Sequence, residues 1–246
     1  MIKLSVALFV NLLTALRIIG AIFLVPLYLK KGALAAASLS MICYFTDFLD
    51  GIIARKAKVS TFFGSVFDGT ADKLFTVANL ILLVTMTKYA VFPILCELAI
   101  FIIQTIRYSK NANVKSSKTG KFKTIVISMT VILIYLVIDI KKITFLNANF
   151  INYVTSLDQV KLLGTIFMPL YIFEILTLAS YLVRFRSDKE VIQESYSDID
   201  IKLKKPKSFK DKFYNFRLLW LNNDIYEKYK DSAGLKGLRE FVKKNR

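Results

Sequence analysis

The chain has 246 residues, 55% of them hydrophobic, and carries 35 Lys and Arg against 18 Asp and Glu, a formal net charge of +17. With a mean hydropathy of +0.49, that combination excludes a disordered chain and argues against an ordinary soluble domain. Histidine is absent, which removes imidazole bases and imidazole metal ligands and leaves acid and base work near neutral pH to carboxylates.

A helix of about 20 apolar residues crosses the hydrocarbon core of a bilayer. Six segments qualify in chain order: 11–29, 33–53, 67–87, 89–107, 123–141 and 160–183. The opening ten residues are apolar but are followed by no small-residue cleavage site, so they read as retained chain rather than a signal peptide. Cys43 and Cys96 each lie inside an apolar run without a CxxC partner. They are therefore expected to be small packing residues, not a disulfide or zinc ligands. Glu97 and Glu174 fall inside spans four and six, where interhelical hydrogen bonding is the expected role.

The predicted fold is an all-α integral membrane protein: a six-transmembrane-helix bundle over residues 1–183, followed by a basic cytoplasmic C-terminal extension over 184–246. Sorting Lys and Arg by side places 29 with the two termini and 6 opposite, or 12 against 6 without the extension. The positive-inside bias then puts both termini in the cytoplasm. Within the extension, Phe209, Phe213, Phe216 and Trp220 recur on one helical face with Lys210, Lys212 and Arg217 around it. Two readings stay open: a helix in the headgroup region of an anionic leaflet, or a small extension packed on itself or on the loops. The extension carries no chemical motif, so its removal is expected to spare catalysis.

The chemistry is concentrated in TDFLDGIIARKAKVSTFFGSVFDGTADKLF, where span two ends and span three begins. Residues three or four apart share a helical face. Asp47 and Asp50 therefore point together from span two, and Asp68 and Asp72 from span three. Charged residues in a bilayer cost roughly 2.5 to 3.5 kcal/mol each at mid-helix, less near the interface. Four acids in two matched pairs therefore call for a cation. Arg55 and Lys73 are too few, and clustered hard oxygens suit Mg²⁺ or Mn²⁺. Gly51, Ala54 and Gly64 permit close approach of backbone to backbone or ligand.

The order Asp47, Asp50, Gly51, Ala54, Arg55, Gly64, Asp68, Asp72 fits DxxDGxxARx₈GxxxDxxxD without departure. It resembles the signature of the CDP-alcohol phosphatidyltransferases. The resemblance implies an integral membrane enzyme that moves a phosphatidyl group from CDP-diacylglycerol to a small alcohol and releases CMP. It implies two divalent ions held by Asp47, Asp50, Asp68 and Asp72, with Asp72 also the general base. It further implies nucleotide contacts at Thr14, Gly51, Ala54, Arg55 and Gly64, and a homodimer. NLLTALR with Asn11, Thr14 and Arg17, the ADK of Ala71 to Lys73, and the GKFKT of Gly120 to Thr124 are most similar to members whose acceptor is sn-glycerol 3-phosphate. Those members often have proline after the third aspartate, where this chain has Gly69.

A phosphorylated acceptor needs its own cationic receptacle, and the loop between spans four and five offers Arg107, Lys110, Lys115, Lys118, Lys121 and Lys123 with no acid among them. Arg107, Lys121 and Lys123, nearest the span ends, are the candidates for the acceptor phosphate. Arg17 is expected at the lipid headgroups, either as a contact or by snorkelling. Two other functions compete. One is the same reaction with inositol phosphate or serine as acceptor. The other is a divalent-cation transporter, disfavoured because the acids sit at the inner mouth beside Arg55 rather than at the midplane. Net charge alone suggests nucleic acid, and the flanks of the membrane spans account for that charge better. Anionic membrane lipids are the expected macroscopic partner.

Overall fold

The computed structural model describes residues 2–109, 118–144, 146–187 and 208–229. Nine α-helices, and no strands, occur among the described residues: α1 (Ile2–Lys31), α2 (Ala33–Lys56), α3 (Phe62–Met86), α4 (Val91–Ser109), α5 (Lys118–Ile138), α6 (Ala148–Ser156), α7 (Gln159–Ser187), α8 (Phe209–Trp220) and α9 (Asn223–Tyr229). Six are long and apolar enough to span a membrane. They correspond to the six expected segments, with the opening residues continuing α1 rather than standing apart. The fifth span runs over 119–138 and so begins and ends a few residues earlier than its apolar run suggested. The short helix α6 was not anticipated, because nine residues are too few to register as a span.

Helix α1 packs on α2 and α3, α2 on α5, and α7 on α4 and α5. Without a hydrophobic drive between helices in lipid, close approach depends on small residues. The α1–α2 contact illustrates this: a Cβ built on Gly20 would lie 2.7 Å from Cys43 Sγ. Ala33, Ala36 and Ala37 of α2 are buried in one cluster with Leu24 of α1 and residues of α3, α5 and α7. Both cysteines are free and buried, as expected of packing residues. Deeper in the bundle, Ser40 Oγ donates to Asn79 Oδ1 at 2.8 Å and Tyr135 OH to the same oxygen at 3.1 Å, tying α2, α3 and α5 together. Such knots are expected where every buried polar group must find a partner inside protein.

At the end opposite the aspartates, α1 turns into α2 through Gly32, whose φ of 86° is left-handed. Helix α2 has no side-chain cap of its own there. Asp139, following α5, supplies one by accepting from the Leu34 N–H at 3.0 Å, and it is itself held by Lys142 at 3.0 Å. Burial pushes the Asp139 carboxyl up, but the Leu34 amide and Lys142 outweigh it and hold the group below the usual carboxylate range.

Candidate functional site

The turn between α2 and α3 sets the depth of every acid. Val59 N–H bonds to Ala54 C=O at 3.1 Å and Lys58 N–H to Arg55 C=O at 3.3 Å, with Lys58 at φ 51°. This is a Schellman closure with lysine in the left-handed position that glycine usually takes. Two residues later Thr61 caps α3, its side chain accepting from Gly64 N–H at 3.0 Å. Asp50 then lies six residues before the end of α2 and Asp68 six residues after the start of α3. Both are about 9 Å into their helices at 1.5 Å per residue. Asp47 and Asp72 lie one turn deeper on each side, so the two pairs meet level with one another.

One oxygen from each of Asp47, Asp50 and Asp68 lies within 4.8 Å of the others. The cation at their centre is Arg17 of α1. Its Nη1 pairs with Asp47, and its Nη2 with Asp68 and, at 2.8 Å, with Asp50. Arg17 is fully buried, which corrects the expectation of a headgroup contact or interfacial snorkelling. The reason is local: Asn11, Thr14 and Arg17 share one face of α1, and that face is turned toward α2 and α3 rather than to lipid. Thr14 Oγ1 lies 3.3 Å from Asp50 Oδ2 on the same face. None of the ion pairs of Arg17 reaches Asp72. Lys73, the neighbour of Asp72, turns to α4, with Nζ 2.8 Å from Gln104 Oε1 and over the Phe101 ring.

Four carboxylates and one guanidinium leave a formal charge of −3, and all the donors are hard oxygens. Two oxygens on one Mg²⁺, each roughly 2.1 Å from it, stand at most about 4.2 Å apart. The three clustered carboxylates, Asp47, Asp50 and Asp68, need a small closure and displacement of the Arg17 guanidinium from between them to take a divalent ion, and Asp72 stands outside that cluster.

Beside the cluster opens a cavity of about 250 Å³ lined by Thr14, Asp50, Gly51, Ala54, Arg55, Gly64 and Asp68, with Asn11, Ser60 and Thr61 along its wall. All five residues expected at the nucleotide thus meet around one space next to the acids. Tyr226 and Glu227 of α9 also line it, so this part of the extension packs on the α2–α3 turn, in line with the second of the two readings left open for the extension. Asn223 Nδ2 donates to Ser60 C=O at 2.8 Å, and Tyr226 meets Phe62 edge-on at 5.2 Å between ring centres. The extension is therefore docked at the site, by contacts between residues 163 positions apart that no local pattern reveals.

The cations of the α4–α5 region separate into two groups. Lys121 is exposed and Arg107 is buried near the end of α4. Lys123, expected at the acceptor phosphate, is buried inside the bundle, paired with Glu97 and 3.8 Å from Glu174. Two acids outnumber that lysine, so its charge is already matched. Lys110 and Lys115 lie outside the described residues, as does the side chain of Lys118.

A bundle of six helices long and apolar enough to span a membrane, with an acid cluster beside a cavity at one end, defines a polytopic membrane protein with one candidate site. The family description "CDP-alcohol phosphatidyltransferase" matches residues 7–157, and the chain belongs to that family. It is 24% identical over 156 residues to the CDP-diacylglycerol–glycerol-3-phosphate 3-phosphatidyltransferase of Aquifex aeolicus, covering 61% of this chain and 84% of that one. To the enzyme of the same name from Rickettsia typhi it is 34% identical over 121 residues, 46% of this chain and 68% of that one. To the cardiolipin synthase (CMP-forming) of Oryza sativa it is 37% identical over 78 residues, 30% of this chain and 24% of that one. No solved structure matches the chain.

Proposed function

We propose that this chain transfers the phosphatidyl group of CDP-diacylglycerol to sn-glycerol 3-phosphate and releases CMP. The observation that carries the reading is the convergence of Thr14, Gly51, Ala54, Arg55 and Gly64 with Asp50 and Asp68 on one cavity. The names of the Aquifex and Rickettsia relatives support the choice of acceptor.

In this reading Asp47, Asp50, Asp68 and Asp72 hold two divalent ions, Mg²⁺ or Mn²⁺. When bound, these would neutralise charge developing on the pyrophosphate as it is cleaved. Arg55 orients the pyrophosphate with its planar fork of donors. Asp72 takes the proton of the acceptor hydroxyl, whose oxygen bonds to the lipid-side phosphorus as the anhydride bond to CMP breaks and CMP leaves with the electron pair. None of the ion pairs of Arg17 includes Asp72, which leaves it a carboxylate oxygen for the proton beside the one offered to a metal ion. Arg107 and Lys121 hold the acceptor phosphate, and Lys123, spent on Glu97 and Glu174, positions α5 for them. The site and both termini face the cytoplasm, consistent with the Lys and Arg bias. Helix α8 lies in the headgroups of an anionic leaflet, supported by Phe209 and Phe213, which are 80% and 55% exposed. The enzyme works as a homodimer, as is usual in its family.

The test is purified protein in detergent with CDP-diacylglycerol, Mg²⁺ and each labelled acceptor. Turnover with glycerol 3-phosphate, abolished in a folded Asp72→Asn variant, supports the reading. Turnover with serine or inositol phosphate instead would replace the acceptor, and near-normal activity of Asp72→Asn would remove it as base.

A further inference from the structure

We propose that helix α9 of the C-terminal extension forms the base end of the donor pocket, with Tyr226 walling the cytosine and Glu227 reading its exocyclic amine. This rests on the nucleotide assignment of the cavity made above and goes beyond it, because the extension carries none of the family pattern and was expected to be dispensable.

The polarity of the cavity follows from helix geometry. Asp50 and Asp68 mark one end, where a pyrophosphate and its counter-ions belong. Ser60 and Thr61 mark the other: Thr61, the cap of α3, stands seven residues, about 10 Å, before Asp68. Tyr226 packs against Phe62, and Asn223 is tied to the Ser60 carbonyl, so α9 sits at the end remote from the acids. A CDP-lipid with its pyrophosphate at the aspartates extends its nucleoside toward this end. Ala7 of α1, seven residues or about two turns before Thr14, lines the cavity at the same level.

The chemistry at that end suits a cytosine and not a phosphate. A carboxylate next to a pyrophosphate would repel it, yet Glu227 lines the cavity. At the base end a carboxylate has a natural partner, because cytosine presents an N4 amine that donates to Asp or Glu. Uracil presents a carbonyl oxygen at the same position and would be repelled. The Tyr226 ring offers the flat apolar surface on which a base rests whatever its identity. The two residues thus divide the work, Tyr226 binding the base and Glu227 selecting it. Asn223 positions both through its bond to Ser60.

The experiment measures inhibition of CMP release by CDP and by UDP, each competing with CDP-diacylglycerol, on the full chain and its variants. The wild type prefers CDP. In Glu227→Gln the preference over UDP falls about tenfold, because an amide can turn either its oxygen or its nitrogen to the base. In Tyr226→Ala both inhibitors weaken by about tenfold and their ratio is kept. In Asn223→Ala, CDP and the donor KM shift in the same direction while the acceptor KM does not. Glu227→Gln keeps the size and shape of the side chain, and circular dichroism of each variant separates a lost base contact from a lost fold. A CDP-to-UDP ratio unchanged in Glu227→Gln, with wild-type inhibition constants in Asn223→Ala, overturns the proposal while leaving the enzyme assignment intact. A wild type that neither releases CMP nor binds CDP overturns the assignment itself.

Discussion

Arg17→Met separates the two cations that can satisfy the acid cluster. The guanidinium is fully buried and pairs with Asp47, Asp50 and Asp68. Deleting one partner of a buried ion pair costs about 3 to 5 kcal/mol, because the remaining charge is left uncompensated. Here the lower end applies, since the Asp68 side chain is 46% exposed and water screens it. A loss of about 3 kcal/mol lowers the unfolding midpoint of a chain this size by roughly 6 to 12 °C. The loss should be largest without divalent ions. Methionine makes the formal charge of the four-aspartate site more negative, −4 in place of −3, so Mg²⁺ binds it more tightly. Binding that reaches 100 times the dissociation constant returns about 2.7 kcal/mol. Thermal unfolding in detergent, followed by circular dichroism in EDTA and across an Mg²⁺ titration, reads both effects. The variant unfolds well below the wild type in EDTA and recovers most of the difference at saturating Mg²⁺, at a lower midpoint concentration. Equal midpoints in EDTA, or an Mg²⁺ response identical in both proteins, would refute the idea that Arg17 and a divalent ion serve the same carboxylates.

Gly32→Ala combines a strained left-handed backbone with a Cβ that would lie 2.7 Å from Asp139 Oδ2, and is expected to cost about 2 kcal/mol or more by chemical denaturation. The Asp139 cap on α2 has a pKa held below the unfolded value of about 3.9. Its contribution is therefore complete above that pH and is lost as pH falls through the lower, folded value. Asp139→Asn should flatten the acid limb of the stability curve below about pH 4, and an unchanged limb would remove the cap from the account. Lys121→Ala and Arg107→Lys should each raise the KM for glycerol 3-phosphate about tenfold and leave that for CDP-diacylglycerol unchanged. Equal shifts in both constants would count against an acceptor-phosphate role.

What was legible in the sequence, and what was not, divides along the reach of a helix. The aspartates, Gly51, Ala54, Arg55 and Gly64 lie on two consecutive helices, where a 3.6-residue period and one short turn determine which side chains face each other. Spacing alone pairs the aspartates on their two helices, while the meeting of Gly51, Ala54, Arg55 and Gly64 with Asp50 and Asp68 around one cavity was implied by the family resemblance. The counter-charges could not. Arg17 comes from α1, and its position three residues past Thr14 marks a shared face without saying which neighbour that face meets. Lys123 resembles every other lysine of the α4–α5 loop until Glu97 and Glu174 arrive from α4 and α7. A composition count assigns such residues to the positive-inside bias, yet low polarity makes each buried charge find an opposite one within reach. Pairing inside the bundle therefore ranks the basic residues: those matched by acids hold helices together, and those left facing the aqueous mouth are available to substrate. By that criterion Arg17 and Lys123 belong to the scaffold of the resting site and the exposed Arg55 and Lys121 are the charges a phosphorylated substrate can claim, while Arg107, buried at the end of α4, is the cation whose KM test decides between the two roles.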